Sequence, residues 1–212
     1  WDHPSMPWDS TALFLGDLNL GQHLPDLASQ RILAGETAGE TAVFQPAFSP
    51  DGRYLSYASN ENGWFNLHLL DLRSGDGRVL VAEETEHGLP AWVHNMRTQT
   101  WSEDGKSLYF LRSREGFTSL ARFDLQEQKL HAIQGEVRHY TDLTQIASVP
   151  QGNLALIASS STIPARIISV SDSGQVRIHR RSSRENIEKS YLSRPEPLSW
   201  PVSTDASVND CH

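Results

Sequence analysis

Phe48-Ser49-Pro50-Asp51-Gly52-Arg53-Tyr54-Leu55-Ser56-Tyr57 recurs as Trp101-Ser102-Glu103-Asp104-Gly105-Lys106-Ser107-Leu108-Tyr109-Phe110. Each copy is followed by a second matched segment, Asn66-Leu67-His68-Leu69-Leu70-Asp71-Leu72 in one case and Ser119-Leu120-Ala121-Arg122-Phe123-Asp124-Leu125 in the other. The displacement is 53 residues from Asp51 to Asp104 and again 53 from Asp71 to Asp124, so the two halves of each unit keep a constant separation. Self-similarity at roughly 40 to 50 residues, with several short strands per unit, is the mark of a β-propeller.

The turn at the head of each unit has a physical logic. Pro50 presets φ, Asp51 can bond its own backbone, and Gly52 supplies the positive φ that closes a hairpin. Residues 54–58 then read as a strand, and residues 65–72 as its antiparallel neighbour after the polar loop Asn60-Glu61-Asn62-Gly63. A sheet of this kind has two faces and no core of its own, so it needs flanking sheets on both sides.

The pattern extends in both directions. Thr11-Ala12-Leu13-Phe14-Leu15-Gly16-Asp17-Leu18 matches the second segment of the later units, with Leu18 standing 54 residues before Leu72. Gln151-Gly152-Asn153-Leu154-Ala155-Leu156-Ile157-Ala158 repeats the turn and strand 47 residues after Gly105, and residues 166–170 supply the next strand. The expected fold class is therefore all-β: a β-propeller fragment of about four antiparallel meander blades. Residues 1–198 divide into units at roughly 1–44, 45–97, 98–147 and 148–198, the first lacking its opening strands.

Composition narrows the function classes. The chain is 38% hydrophobic with six Trp, fourteen Gly and eleven Pro, which suits a globular protein rich in turns. No window approaches the ~18 to 20 apolar residues that span a bilayer. Trp1-Asp2-His3-Pro4 has neither the basic start nor the apolar stretch of a signal peptide, and it lacks an initiator Met, so the chain is expected to be cut from something longer. A net charge of −8 disfavours a phosphate-binding surface. The one basic run, residues 177–184, lacks interleaved aromatics and is expected to be a solvated strand edge. The single cysteine, Cys211, and the absence of any Asn-x-Ser/Thr site point to a reducing cytoplasm.

Searches for chemistry return structural roles. There is no Gly-x-Ser-x-Gly elbow. Gly105-Lys106-Ser107 ends like a phosphate loop, but Thr100 stands where its first glycine belongs. The nine His have no zinc-site spacing: His87 and His94 lie around Pro90, and His131 and His139 flank a glycine. Cys211-His212, at the end of the sequence, is expected to fray rather than to act as a metal ligand or nucleophile. Asp51, Asp71, Asp104 and Asp124 recur with the blades and are expected to form turns and strand ends. No catalytic, cofactor or metal residue is expected in this chain.

Trp1-Asp2-His3-Pro4-Ser5-Met6-Pro7-Trp8-Asp9, followed by Leu13-Phe14-Leu15-Gly16-Asp17-Leu18, resembles a propeller segment of the prolyl oligopeptidase (S9) serine peptidases, in the dipeptidyl-aminopeptidase and acylaminoacyl-peptidase-like branch. The Phe-Ser-Pro-Asp-Gly and Trp-Ser-Glu-Asp-Gly turns fit that family and are shared with TolB-like propellers. Leu192-Ser193-Arg194-Pro195-Glu196-Pro197-Leu198-Ser199-Trp200 resembles the exit from propeller to hydrolase, with residues 199–212 beginning the linker to an α/β-hydrolase domain. The resemblance implies a non-catalytic portion of a serine peptidase that caps the hydrolase domain, together with the remaining blades, and admits short peptides to a triad that this chain does not contain. The implied partners are those parts of the parent chain and a peptide substrate, with no nucleic acid and no membrane. Some members hold the peptide amino terminus with propeller Glu or Arg; Glu83-Glu84 follows a strand here and is expected in a surface turn. A stand-alone TolB-like binding propeller and a complete four-bladed scaffold ring are the other readings, the latter requiring the first and last strands to pair.

Candidate residues along the substrate path are the aromatic loops: Trp64, beside Phe65, and Trp92 with Arg97 in the segment that follows Leu89-Pro90. Aromatics in such loops either pack between blades or form a lip lining the path, where Arg97 could meet a peptide carboxylate.

Overall fold

The two Asp-Gly turns close the same ring of hydrogen bonds. Asp51 Oδ1 accepts from Ser49 Oγ at 2.6 Å and from the Arg53 N–H at 3.1 Å, while Ser49 Oγ accepts from the Tyr54 N–H at 2.8 Å. In the second copy, Asp104 Oδ1 accepts from Ser102 Oγ at 2.7 Å and from the Lys106 N–H at 3.1 Å, and Ser102 Oγ accepts from the Ser107 N–H at 3.0 Å. The Ser hydroxyls first, then the backbone N–H groups, hold both carboxyls below the usual carboxylate range. Gly52 and Gly105 sit at φ 67° and 69°, a left-handed conformation that favours glycine. At 150–152 the carboxylate is absent and the loop turns on Gln151 and Gly152, both with positive φ, which is why the fourth unit is the least similar copy.

The computed structural model describes residues 3–20, 25–35, 39–89, 92, 95–183 and 187–198. Residues 199–212, Cys211-His212 among them, His94 and Arg184 lie outside the described residues. The chain is nearly all β. A two-stranded sheet, β1 (Ala12–Leu20) and β2 (Pro25–Gly35), is followed by three four-stranded antiparallel meanders. These are β3 (Val43–Phe48), β4 (Tyr54–Ser59), β5 (Asn66–Asp71) and β6 (Gly77–Val81); β7 (Gln99–Trp101), β8 (Ser107–Arg114), β9 (Phe117–Asp124) and β10 (Lys129–Ala132); and β11 (Asp142–Val149), β12 (Asn153–Ser160), β13 (Ile163–Val170) and β14 (Val176–Arg181). The match between Leu18 and Leu72 makes β1 and β2 the third and fourth strands of the first blade. Each turn motif joins the first strand of a blade to its second, so a blade opens one strand ahead of its turn; β11 thus begins at Asp142, ahead of the unit boundary at 148 drawn from turn spacing. Among the described residues no strand of the last sheet pairs with the first.

The core lies between sheets, as it must when single blades have none. All of residues 107–111 in β8 are buried, with Leu108 and Phe110 packing toward the second blade and Tyr109 and Leu111 toward the fourth. This two-sided burial explains why the middle strands read as continuous apolar runs. Strand β14 is the outer edge of its sheet and solvent-exposed over residues 177–181, which places the described part of the basic run where charge blocks edge pairing.

The two end sheets each keep an apolar row open. Phe14 pairs with Ile32 on the first blade, both about half exposed, and Ile157 pairs with Ile167 on the fourth. Burying such rows is worth roughly 25 cal/mol per Å². The 212-residue chain by itself is therefore expected to associate through these faces, with sedimentation showing dimers or larger species that dissociate when Ile157 and Ile167 are both changed to Glu. A monodisperse monomer at high concentration would count against open end faces.

Candidate functional site

Antiparallel strand order sorts the loops between the two ends of the blades. The Asp-Gly turns occupy one end. The 60–65 loop between β4 and β5, the long connector at 82–98 between β6 and β7, and the 115–116 turn between β8 and β9 occupy the other. Trp64, Trp92 and Arg97 all belong to this second end. Trp64 is 39% exposed and Trp92 68%, whereas Phe65, next to Trp64, packs on Phe44 with ring centroids 4.4 Å apart. The loop aromatics thus divide, with Phe65 partly buried against the core and the two tryptophans at the surface. Trp92 meets Trp8 edge to face at 6.3 Å, so the 3–11 segment reaches the same end.

The innermost strands β3, β7 and β11 stand side by side and are bonded from blade to blade. Gln99 Nε2 donates to the Gln45 carbonyl at 2.6 Å, Trp101 Nε1 donates to the Ala47 carbonyl at 3.1 Å, and the Ile146 N–H donates to the Arg97 carbonyl at 3.2 Å. A cavity of about 330 Å³ opens against these strands, lined by Gln45, Phe48, Arg97, Gln99 and Trp101 among others, but by neither Trp64 nor Trp92. Its volume lies within the range of small-ligand sites. Gln45 and Gln145 are left-handed, at φ 56° and 57°, where β3 and β11 each bulge. Non-glycine residues held there carry strain that the surrounding bonds must offset, and such bulges re-aim side chains.

A polar cluster stitches the connector to the third blade. Glu83 Oε2 accepts from Arg112 Nε at 2.9 Å and from Nη2 at 2.6 Å, and its backbone N–H donates to Asn66 Oδ1 at 3.0 Å. His87 Nε2 lies 3.4 Å from the same carboxylate oxygen, with the imidazole set against the Phe110 ring at 5.3 Å. Glu86 exchanges backbone hydrogen bonds with Ser113 at 3.1 and 2.8 Å, and its Oε2 accepts from the Phe65 N–H at 2.9 Å. Burial pushes His87 down to about 4, so it is neutral at pH 7. The connector runs flush against the second blade at Gly88, where a Cβ would stand 2.9 Å from both Ala58 Cβ and Phe44 Cε2.

Glu83 is thus half-buried and ion-paired to the next blade, while Glu84 beside it is exposed; the surface-turn expectation holds for Glu84 and fails for Glu83. The reason lies in partners distant in sequence. Arg112 ends the apolar run of β8 and needs an anion when the connector covers it. The nearest sequence signal was the Glu83 and His87 spacing, which indicates little outside a helix.

No protein-family model matches the chain. Over 99 residues, 47% of this chain and 14% of the relative, it is 29% identical to dipeptidyl-peptidase 5 of Porphyromonas gingivalis. It superposes on a puromycin-hydrolyzing peptidase of Mycobacterium tuberculosis with a TM-score of 0.79 and 25% identity, covering 92% of this chain and 28% of that one. A TolB-type protein of Agrobacterium tumefaciens, at 18% identity and a TM-score of 0.52, covers 73% of this chain and 54% of that one and shows a common fold alone. The chain therefore spans less than a third of the peptidase it resembles. These likenesses bear out the resemblance to a propeller segment of S9 peptidases.

Proposed function

We propose that this chain is the non-catalytic propeller portion of an S9-type serine peptidase, where it caps an α/β-hydrolase domain and gates the passage of short peptides. The observation that carries the proposal is the superposition over nearly the whole chain on a peptidase more than three times its length. The arrangement of the blade ends supports the gating part. One end carries the Asp-Gly turns; the other presents the exposed Trp64 and Trp92, on the 60–65 loop and the 82–98 connector, and, at the inner strands, Arg97 beside a cavity. Exposed aromatics at that end offer a large apolar contact surface to a passing peptide. Remaining blades would cover the open rows at Phe14, Ile32, Ile157 and Ile167. A cytoplasmic location belongs to the same proposal, resting on the lone cysteine and the missing glycosylation sites.

The test is hydrolysis. The intact polypeptide that carries this chain is expected to contain a Gly-x-Ser-x-Gly elbow after residue 212 and to cleave aminoacyl or acylaminoacyl chromogenic substrates in a phosphonate-sensitive manner, while residues 1–212 alone cleave none. Cleavage by the pure 212-residue chain, or an intact polypeptide with neither elbow nor activity, would defeat the proposal.

A further inference from the structure

Where the third and fourth blades meet at the loop end, a second cavity, of about 510 Å³, opens between Phe117 at the start of β9, the hairpin from β12 to β13, and Arg194-Pro195 of the segment that follows the last blade. Its backbone walls are tied together: the Thr118 N–H donates to the Thr141 carbonyl at 2.8 Å, and the Thr141 N–H donates to the Ser159 carbonyl at 3.0 Å. Arg138 and His139, which end a short 3-10 helix at Gly135–His139, line the cavity together with Arg194. Among the described residues no carboxylate lines it, and neither arginine forms an ion pair. The cationic character continues on the adjoining strands. Arg166 and Arg181 stand directly opposite each other across β13 and β14, also without ion pairs among the described residues, and Arg166 Nη1 donates to the Tyr140 hydroxyl at 3.3 Å. Like charges in that register destabilise a sheet, and they gather here in a chain whose net charge is −8. Unpaired guanidiniums beside an open volume attract an oxyanion, whose geometry their planar forks match. Phe117, Ile163 and Pro195 add apolar wall, and the volume lies in the range for small organic ligands.

We propose that this cavity binds a small organic oxyanion, a carboxylate or phosphate group carried on an apolar body. The head group pairs with the guanidiniums of Arg138 and Arg194, and the apolar body lies on Phe117 and Ile163. Phe117 belongs to the third blade and Ile163 to the fourth, so the site exists only when those blades are docked. The donor set stands whether or not the parent polypeptide is a peptidase.

Isothermal titration of the intact polypeptide that carries this chain tests the site with four probes: phenylacetate, phenylphosphate, the neutral phenylacetamide and inorganic phosphate. The tighter of the two aromatic anions names the head group. It is expected to bind on the order of tenfold more tightly than phenylacetamide, which lacks the charge, and than inorganic phosphate, which lacks the apolar body. Arg138→Ala and Arg194→Ala should each weaken that anion by about tenfold and leave phenylacetamide unchanged. Arg177 is exposed on β14 and outside the cavity, so Arg177→Ala should change neither. Binding of neither aromatic anion, or of the anion no better than the amide, overturns the site. Inorganic phosphate bound as tightly as phenylphosphate overturns it as well, since that is an adventitious ion only. A loss in Arg177→Ala as large as in Arg138→Ala would reduce the effect to the general field of a basic blade, and binding indifferent to Arg138 and Arg194 would put the anion elsewhere in the polypeptide; either result refutes the cavity. The probe comparisons need no change to the protein. Hydrolysis of chromogenic substrates is read separately, so a polypeptide that selects the aromatic anion without cleaving them keeps the site and loses the peptidase.

Discussion

Phe110→Ala is expected to destabilise the chain by about 3 to 5 kcal/mol, the range for removing a fully buried phenylalanine. Phe110 is 0% exposed and sits in the cluster shared by the second and third blades, with Phe44, Leu67, Leu69 and Val81 on one side and Trp101, Leu108, Ala121 and Phe123 on the other. Its strand neighbour across β9 is Ala121, too small to fill the vacated space, and its ring also supports His87. Neither blade can relax inward without breaking the bonds from Gln99 and Trp101 to the β3 carbonyls. The size of the loss comes from cavity formation added to lost apolar transfer. Phe48→Ala is the matched control, since Phe48 is 56% exposed and should cost less than about 1 kcal/mol. Urea unfolding with both variants decides it: equal shifts would mean that the seam between blades contributes no more than the surface does.

The repeat was legible because its chemistry is local. Ser49, Asp51 and Gly52 make a turn within a few residues, and Ser102, Asp104 and Gly105 repeat it, so the spacing of the turns announces the blades. Strand β2 was not legible. It pairs with β1 through two bulges, and Pro25-Asp26 at its start and polar residues along it hide any alternation. Sheet order followed from the meander, but the division of β8 into a face for each neighbouring blade did not, because both faces carry apolar side chains. The site divided along the same line. Trp64, Trp92 and Arg97 stood out as large or charged residues in loops, and topology brings them to one blade end. Glu83 and Arg112 are far apart in sequence and their pairing depends on how the 82–98 connector crosses to β8. The bonds that Gln45 and Gln99 make across the seam between blades are invisible to sequence, since two glutamines in separate strands give no sign of which of their atoms are bonded.

Acidification from pH 7 to pH 4 is expected to remove about 3 kcal/mol of stability through His87 alone. An unfolded histidine titrates near 6.5, and burial against Phe110 lowers the native value to about 4, so between these limits the unfolded chain binds more protons than the native one. Stability then rises with pH across that window, is complete above about 6.5, and is lost progressively as pH falls toward 4. The groups facing the ring act in opposite senses: Glu83 favours the imidazolium, Arg112 opposes it, and desolvation outweighs both. His68, buried against Tyr57 and likewise lowered mainly by desolvation, adds to the loss in the same direction. The turn carboxylates Asp51, Asp71, Asp104 and Asp124 are held below their usual range, so their contributions begin to fall away below about pH 5, as the unfolded carboxyls protonate, and the loss above that belongs to the histidines. Denaturant midpoints measured from pH 7 to pH 4 should therefore fall steeply in the wild-type chain and much less in His87→Gln, which cannot titrate there. The connector bearing Glu83 and His87 is also the segment that leads to Arg97 and the inner cavity. A midpoint that does not move between pH 6.5 and pH 4.5 would show that His87 meets water in the native state.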